Sequence, residues 1–595
     1  MKREVSKVRI YKIVIICITT IMHVHIYAET NFNEIVVTPL KKPTKLFDSL
    51  NSVEIITSKE ILQKGYSTVN EILEKSSSIS IGSNGGLGQT KSIFMRGTES
   101  NHTKVLINGV TLNPNTLGVP SIQHISVEMI DRIEISKGGM SSLYGKDSIG
   151  GVINIITKKN QNNKIGISVG TYDTQKINYT GGLGYKNHLV NINISSIISN
   201  SYKAKVNSSK NHEYDSRNFD LNYNLGLDER EFSVNYYQSI GNTQYDSFGT
   251  NLHQDHKDNH LKLNVNESFE SSYLDMFYIK KGNKINQASS GATDYTHTDV
   301  STYGLEYVIE NSDSDHVLIG LDYTDESMSE LSYGTSFKHN NTIKQIYLNA
   351  KKEVTNKLVA SIGLRSLNHS TYNEFNTGKI GFGYYINPDL IISSTFGTAF
   401  RAPDATDLFG YGGNENLNPE KSFNSEILLK YEPSKNESII FAIFNNQIKD
   451  LIESNGSNMQ NINKAEINGM DINYTRYLPN SVIDIKFTHQ DPRDKTNNVI
   501  LSRRPKNKLI TSYTQFLEKS DSLNITISAE SNKDNSIYDS HRLGGYVSVD
   551  MNYTKTIGDF LLGVRINNIL DKHMRKAHNY NSDGRAISMS INRQF

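Results

Sequence analysis

The chain has 595 residues, and its 63 Lys and Arg against 62 Asp and Glu leave a formal charge of +1, which gives no global attraction to nucleic acid or to an acidic substrate. Mean hydropathy is −0.48 and no apolar run reaches helical spanning length, so a helical membrane protein is excluded. With 33 Tyr, 21 Phe and no Trp, the composition fits a soluble β protein or an outer-membrane barrel, whose alternating side chains keep hydropathy low.

Residues 1–28 read as a secretory signal peptide. Lys2, Arg3, Lys7, Arg9 and Lys12 form a basic start, residues 13–22 are apolar, and Ala28 offers a small residue for cleavage. The apolar stretch is too short to span a bilayer. Cys17, the only cysteine, lies inside it and is followed by Ile18 instead of the small residue a lipidation site needs. The mature chain is therefore expected to carry no thiol, disulfide or cysteine metal site.

Just past the leader comes Asn33-Glu34-Ile35-Val36-Val37-Thr38-Pro39. Four successive β-branched residues favour an extended backbone, and Pro39 stops a continuing ladder. Such a piece near a free terminus has the form of a strand offered to another protein's sheet edge. From there to residue 160 the text is that of a compact α+β module. Ser58-Lys59-Glu60-Ile61-Leu62 and Ser67-Thr68-Val69-Asn70-Glu71-Ile72-Leu73 each open like a capped helix. Glycines punctuate residues 82–88, and strands rich in Val and Ile are expected at 104–107, 132–135 and 152–157.

After Lys159 the period becomes two and stays there. Ile165, Ile167 and Val169 alternate with Gly166, Ser168 and Gly170, and a turn at Tyr172-Asp173-Thr174 follows. At the far end Ile587, Met589, Ile591, Arg593 and Phe595 share one face, with Ser588, Ser590, Asn592 and Gln594 on the other. Residues 161–595 thus read as strands joined by polar turns, with no helical interruption. A soluble sandwich array would show the same alternation, but the aromatic last residue favours a membrane barrel. At about 20 residues per strand and connection, the length fits roughly 22 antiparallel strands.

Within residues 92–157 stand Ser92-Ile93-Phe94-Met95-Arg96-Gly97-Thr98, Val105-Leu106-Ile107-Asn108-Gly109-Val110, Ile130-Asp131-Arg132-Ile133-Glu134-Ile135 and Ser142-Leu143-Tyr144-Gly145-Lys146-Asp147 running on through Gly150-Gly151-Val152-Ile153-Asn154. In that order they resemble the plug domain of the TonB-dependent outer-membrane receptors. The resemblance continues at Gly397-Thr398-Ala399-Phe400-Arg401-Ala402-Pro403, at Asn416-Leu417-Asn418-Pro419-Glu420-Lys421, and in the last strands at Asn567-Asn568-Ile569-Leu570-Asp571-Lys572 and Gly584-Arg585. Within the family it is most similar to the receptors for cobalamin. The implied fold is mainly β: a 22-stranded antiparallel transmembrane β-barrel over 161–595, filled by an N-terminal α+β plug over 29–160.

The resemblance implies a role for each marked residue. Asn33, Glu34, Ile35, Val36, Val37, Thr38 and Pro39 become the TonB box, captured by TonB as an added strand and pulled by proton-motive force. The family seats its plug with buried Arg–carboxylate contacts, which fall here on Arg96 and Lys137 of the plug and Glu420 and Asp471 of the barrel, paired as Arg96–Glu420 and Lys137–Asp471. Lysine cannot make the bidentate fork of arginine, so the first pair is the stronger expectation. Cobalamin contacts carry over to Thr90, Ser92, Glu99, Leu117, Gly118, Thr293, Arg503 and Asn535. Ser92, Thr293 and Arg503 keep the family residue, while Thr90, Glu99 and Asn535 depart from it. Calcium in the extracellular loops would take Glu213, Asp215, Tyr245, Asp246 and Asp255, with Lys203 standing where another aspartate is usual.

No catalytic cofactor is implied. The 17 histidines show no His-Glu-x-x-His spacing, and neither a Gly-x-Ser-x-Gly elbow nor a phosphate-cradling loop occurs. His102 reads as structural. The expectation is a monomeric importer with TonB, a small molecule and outer-membrane lipid as partners. A ferric siderophore or haem is the alternative cargo, and a passive porin or adhesin the alternative class, against which the plug and the box both argue.

Overall fold

The computed structural model describes residues 35–159, 162–288, 293–312, 315–517, 521–536 and 539–595. The leader and two of the box residues, Asn33 and Glu34, lie outside them. No helix among the described residues is long and apolar enough to cross a membrane.

The plug is built on a five-stranded mixed sheet. Its order is Val53–Thr57, Ile130–Lys137, Gly151–Thr157, Thr103–Ile107 and Val110–Thr111, with one parallel pairing, between Thr103–Ile107 and Gly151–Thr157. The three strands expected from Val and Ile runs are all present, longer by one, four and one residues in chain order. Helices Ser58–Lys64 and Val69–Glu74 follow the first strand directly. Their caps sit one residue from the expected serines. Thr57 accepts from the Glu60 N–H and Thr68 from the Glu71 N–H, while Ser67 instead donates back to the Glu71 carboxylate. Ile56, Ile61, Val69, Ile72, Ile133 and Ile153 pack into one buried core beneath the sheet.

Twenty-two antiparallel strands close around the plug, the first, Lys164–Gly170, pairing with the last, Ala586–Gln594, from Lys164↔Gln594 to Gly170↔Ser588. The alternation legible in the sequence becomes the two barrel faces. Ile165, Ile167, Val169, Ile587, Met589 and Ile591 all point outward and exposed. Strands near the closing seam are short. Those across the barrel are long, such as Thr250–Phe269 and Thr335–Thr355 at 20 and 21 residues, roughly twice the 9–11 residues a tilted strand needs to cross the hydrocarbon. The hairpin at Tyr172 and Asp173 turns with both residues at positive φ, 65° and 52°.

Candidate functional site

Three plug loops rise toward the barrel rim opposite the start of the first strand and the end of the last: the hairpin tip at 84–90, the loop at 96–102 and the loop at 112–121. Each is braced by the wall. In the hairpin, the Lys91 ammonium donates to Ser83 Oγ at 2.6 Å and to the carbonyls of Gly85 and Gly86 at 2.7 and 3.1 Å. Burial pushes Lys91 down to about 8. Gln89 Nε2 donates to the Gln244 carbonyl at 2.6 Å, tying the tip to a barrel strand. In the second loop Glu99 is gripped by Arg504, whose Nε also donates to the Gly97 carbonyl at 2.6 Å. The third loop leans on Thr298 through Thr116, 3.1 Å between hydroxyls, and its Gly118 is at φ +68° with Asp404 where a side chain would go, so only glycine fits.

Thr90 and Thr293 are exposed, Ser92 is half-buried, and Leu117 is exposed on the third loop. Arg503 and Asn535 come together directly, Arg503 Nε donating to the Asn535 carbonyl at 3.3 Å, and Asn535 Oδ1 accepts from the His578 N–H at 2.9 Å. Glu99 joins this group through Arg504. Leu117 and Gly118 lie on the side of Thr293, since Thr298 belongs to the strand Tyr295–Glu310 that opens two residues after it.

The acidic residues of the calcium expectation are engaged otherwise. Asp246 faces Lys205 at 3.2 Å and accepts from Ser208 at 2.9 Å; Asp255 accepts from Asn242 at 2.9 Å; Glu213 accepts from Gln244 at 3.2 Å; Arg217 stands 3.7 Å from Asp215. Tyr245 accepts from Gln287. No three His, Cys, Asp or Glu side chains among the described residues gather to hold a metal. In this arrangement the donor set does not fit calcium, which needs several converging oxygens.

Both expected plug–barrel pairs are replaced by others. Arg96 reaches Glu426 at 2.5 Å and Asp471 at 3.4 Å, its guanidinium 4.3 Å from the Phe444 ring. Glu420 is held instead by His102 at 2.5 Å, by Arg401 at 3.3 Å and by the Ile452 N–H at 2.7 Å. Glu420 and Glu426 are six residues apart on one strand, so both face the lumen, and side-chain parity cannot choose between them. Lys137 does not meet Asp471, which Arg96 and Thr488 already occupy. It turns to Glu54 at 3.2 Å on the neighbouring plug strand, and Glu54 in turn meets barrel Lys486 at 2.9 Å. Burial alone would raise the Glu54 carboxyl, but Lys486 and Lys137 outweigh it and hold it at about 2.

The box segment is stowed. Ile35–Val36 pairs with Thr44–Lys45, and the Glu134 carboxylate accepts from the N–H groups of Val37 and Thr38 at 3.0 and 2.8 Å and from the Thr38 hydroxyl at 2.6 Å. Tyr144 closes the clasp by donating to the Thr38 carbonyl at 2.9 Å. Val36 and Thr38 are fully buried while Ile35 is 55% exposed. Glu134, Glu426, Arg504 and Lys91 hold the box, the plug seat and the loops in contacts that sequence reasoning missed, and His102, read as structural, takes Glu420. For Glu134 and His102 there was a signal, their place in the plug motif.

A plug braced inside a closed 22-strand barrel, with a stowed terminal strand, defines an energised outer-membrane receptor. The sequence matches the TonB-dependent receptor-like β-barrel family over residues 158–569 and the TonB-dependent receptor plug domain over 45–152; the chain belongs to the TonB-dependent receptors, transporters of the outer membrane. Among curated relatives, the vitamin B12 transporter BtuB of Vibrio cholerae is 26% identical over 97% of this chain and 98% of its own length, and that of Photobacterium profundum is 25% identical over 95% and 96%. Among solved structures, the siderophore receptor PirA of Acinetobacter baumannii superposes with a TM-score of 0.79 at 16% identity, covering 91% of this chain and 98% of that one. The ferric enterobactin receptor PfeA of Pseudomonas aeruginosa gives 0.79 at 15%, covering 92% and 99%. These structures establish the shared fold.

Proposed function

We propose that this receptor imports a cobalamin, bound at the rim by the three plug loops and drawn inward by TonB. The observation that carries the reading is the end-to-end likeness to relatives named vitamin B12 transporters, 26% identical over 97% of the chain. Ser92, Thr293 and Arg503, residues kept from the cobalamin receptors' pattern, support it. Ferric siderophores are the second reading, favoured by the fold shared with receptors for them.

The steps follow from the chain's own contacts. Cargo settling on the hairpin tip and on the Glu99–Arg504 group loads the plug from above. The clasp on residues 36–38 opens below, and the freed segment adds as a strand to TonB. The grip is through main-chain hydrogen bonds, so it tolerates varied side chains and fails where an N–H is missing. The pull then enters at the first plug strand, Val53–Thr57, which lies at a sheet edge and is paired on one side only. The protein acts as a monomer with its outward apolar band in lipid.

Titration of the purified protein with cyanocobalamin, with and without calcium and against a panel of ferric chelates, tests the cargo. Tight binding of cyanocobalamin alone is expected; binding only in the millimolar range, with a ferric chelate bound tightly, would overturn it. Calcium strengthening the binding would require Asp246 to leave Lys205.

A further inference from the structure

Four lysines form one row across neighbouring strands on the outward face of the barrel. On Glu420–Ser434, Glu437–Ser454 and Met459–Leu478, Lys421 stands directly opposite Lys449, and Lys449 directly opposite Lys464. Lys495, just past the strand Ser481–Asp494, continues the row, its N–H donating to the Lys464 carbonyl at 2.9 Å. Side chains alternate along a strand, so the inward turn of Glu420 to His102 sends Lys421 outward. His102 belongs to the second plug loop, which places the row at the rim end of the barrel. The short turns at 435–436 and 479–480 lie at the other end.

Such a row works against the fold. Directly opposed side chains have Cβ atoms about 4.5–5.5 Å apart, where like charges repel. Elsewhere the outward face sets opposite charges across from each other, as with Arg230 and Glu267. Lys257 and Lys284 also oppose each other, but Ile240 and His297 flank them in place of further lysines. In the row, Lys495 meets Glu466 at 3.3 Å, whereas no carboxylate among the described residues pairs with Lys421, Lys449 or Lys464. Beside it Arg493 and Lys506 share the carboxylate of Asp491 at 2.6 and 2.9 Å. This face carries a surplus of cations that the protein itself does not answer.

The same strands show what kind of anion fits. Below the row come two tiers of polar side chains, Gln447 with Glu466 and Asn445 with Asn468. The apolar band opens beneath them at Ile427 and Ile443, 56% and 50% exposed. Each is six residues from its lysine, about 14 Å in height for a strand rising about 3.4 Å per residue at a tilt of about 45°. A phospholipid headgroup layer is only about 5–7 Å deep, so its phosphate stops short. An anion that rests acyl chains on the band and still reaches the lysines carries its phosphate on a taller headgroup.

We propose that the row of Lys421, Lys449, Lys464 and Lys495 is a docking site for a phosphorylated glycolipid of the surrounding outer leaflet. Its acyl chains lie on the apolar band and its sugar-borne phosphates sit among the ammonium groups, turning repulsion along the row into attraction. The site is independent of the cargo and of the pull on the plug.

The mature receptor in a neutral maltoside detergent is titrated with a phosphorylated lipooligosaccharide, with the same glycolipid stripped of phosphate, and with phosphatidylglycerol. Native mass spectrometry reads binding, and the melting temperature is followed in parallel. Lys421→Gln, Lys449→Gln and Lys464→Gln together should weaken binding of the phosphorylated glycolipid at least about tenfold. Lys352→Gln, Lys357→Gln and Lys555→Gln remove as much charge from exposed positions at the opposite end; beyond a screening length, they should change it less than about twofold. Without lipid the row variant should melt no lower than wild type, because it has lost only repulsion. With the glycolipid, wild type should gain stability and the row variant should not.

Equal binding by wild type and row variant would overturn the site, as would equal losses in the two variants. Wild type that takes the phosphate-free glycolipid or phosphatidylglycerol just as tightly would overturn the choice of partner. If the triple variant does not reach the membrane, Lys449→Gln alone, in the middle of the row, should weaken binding about fivefold. An unchanged affinity there counts equally against the site.

Discussion

On the strands from Leu358 to Asp494 the plug meets the barrel through apolar side chains and ion pairs sealed from water, whereas beside the closing seam it meets the barrel across a polar cavity of about 640 Å³. His102 and Glu420 are both 0% exposed at the first contact, while Lys576 and Glu74 are each 17% exposed at the second. A buried pair that loses one partner strands a charge in a medium that cannot solvate it, at about 3–5 kcal/mol. A pair that water partly reaches loses less. The flank with the apolar seam is therefore the firmer of the two, and the pull arrives between them. The chain just past the box meets the strand Tyr295–Glu310, where Lys41 reaches Glu306 at 2.5 Å, and then the anchored side, where Leu50 packs on the wall. Of the helices it drags behind it, Val69–Glu74 meets the other flank, while Lys64 of the first pairs with Asp484 at 3.2 Å.

The largest effect expected is that of Val36→Pro. Proline removes the N–H that an added strand needs and cannot continue the pairing of Val36 with Thr44. Import should drop to the level of cells lacking TonB while cargo binding to purified protein stays unchanged. Normal import would mean that force enters elsewhere, and the division into a firmer and a weaker flank would lose its cause.

Next in size is the contrast between Arg96→Ala and Lys576→Ala. Removing Arg96 leaves Glu426 and Asp471 buried without their cation, with about 3–5 kcal/mol lost from plug seating. Removing Lys576 leaves Glu74, 17% exposed, with water and Lys75 to take part of the lost cation's place, at a smaller cost. The urea concentration at which single-channel conductance appears in a planar bilayer reads the two on one scale. Equal shifts would break the comparison outright.

A smaller change is expected of Glu134→Gln. The amide keeps the shape of the carboxylate but exchanges charge-assisted bonds to Val37, Thr38 and the Thr38 hydroxyl for neutral ones, a difference of about 1–2 kcal/mol. The periplasmic domain of TonB should then bind the cargo-free receptor about tenfold more tightly, and cargo should add correspondingly less. An unchanged affinity would show that the clasp is not the barrier to capture.

How far these contacts could be read from the sequence follows from their range. The barrel was legible because alternation is local: Ile165, Ile167 and Val169 declare their face within five residues. The plug strands were legible for the same reason. The pairing of charges was not, because Glu420 and Glu426 share a face and differ by about 20 Å along the strand, and only the register of Ala442 with Asp471 on the next strands brings one of them to Arg96. Nor could the stowing of the box be read, since Glu134 lies almost a hundred residues from Thr38 and its carboxylate is drawn there by tertiary packing alone. The carboxylates of the calcium expectation were found by position, but Lys205, Asn242 and Arg217 beside them decide what each one binds.

Acid should erase the difference between the flanks. Glu54 on the anchored side and Glu74 on the other are both held at about 2, burial raising each and neighbouring lysines more than reversing it: Lys486 and Lys137 for Glu54, Lys576 and Lys75 for Glu74. A carboxylate depressed in the folded state stabilises it fully above the ordinary value of about 4.5 and ceases to do so as pH falls through the folded value. Seating should therefore weaken on both sides between about pH 4.5 and 2, and these two carboxylates should contribute no change above that window. Conductance onset followed against pH reads this directly. Glu54→Gln and Glu74→Gln should each weaken seating at neutral pH and flatten part of the acid dependence, and a wild-type profile flat across the window would mean that these lysine–carboxylate contacts do not hold the plug on either side.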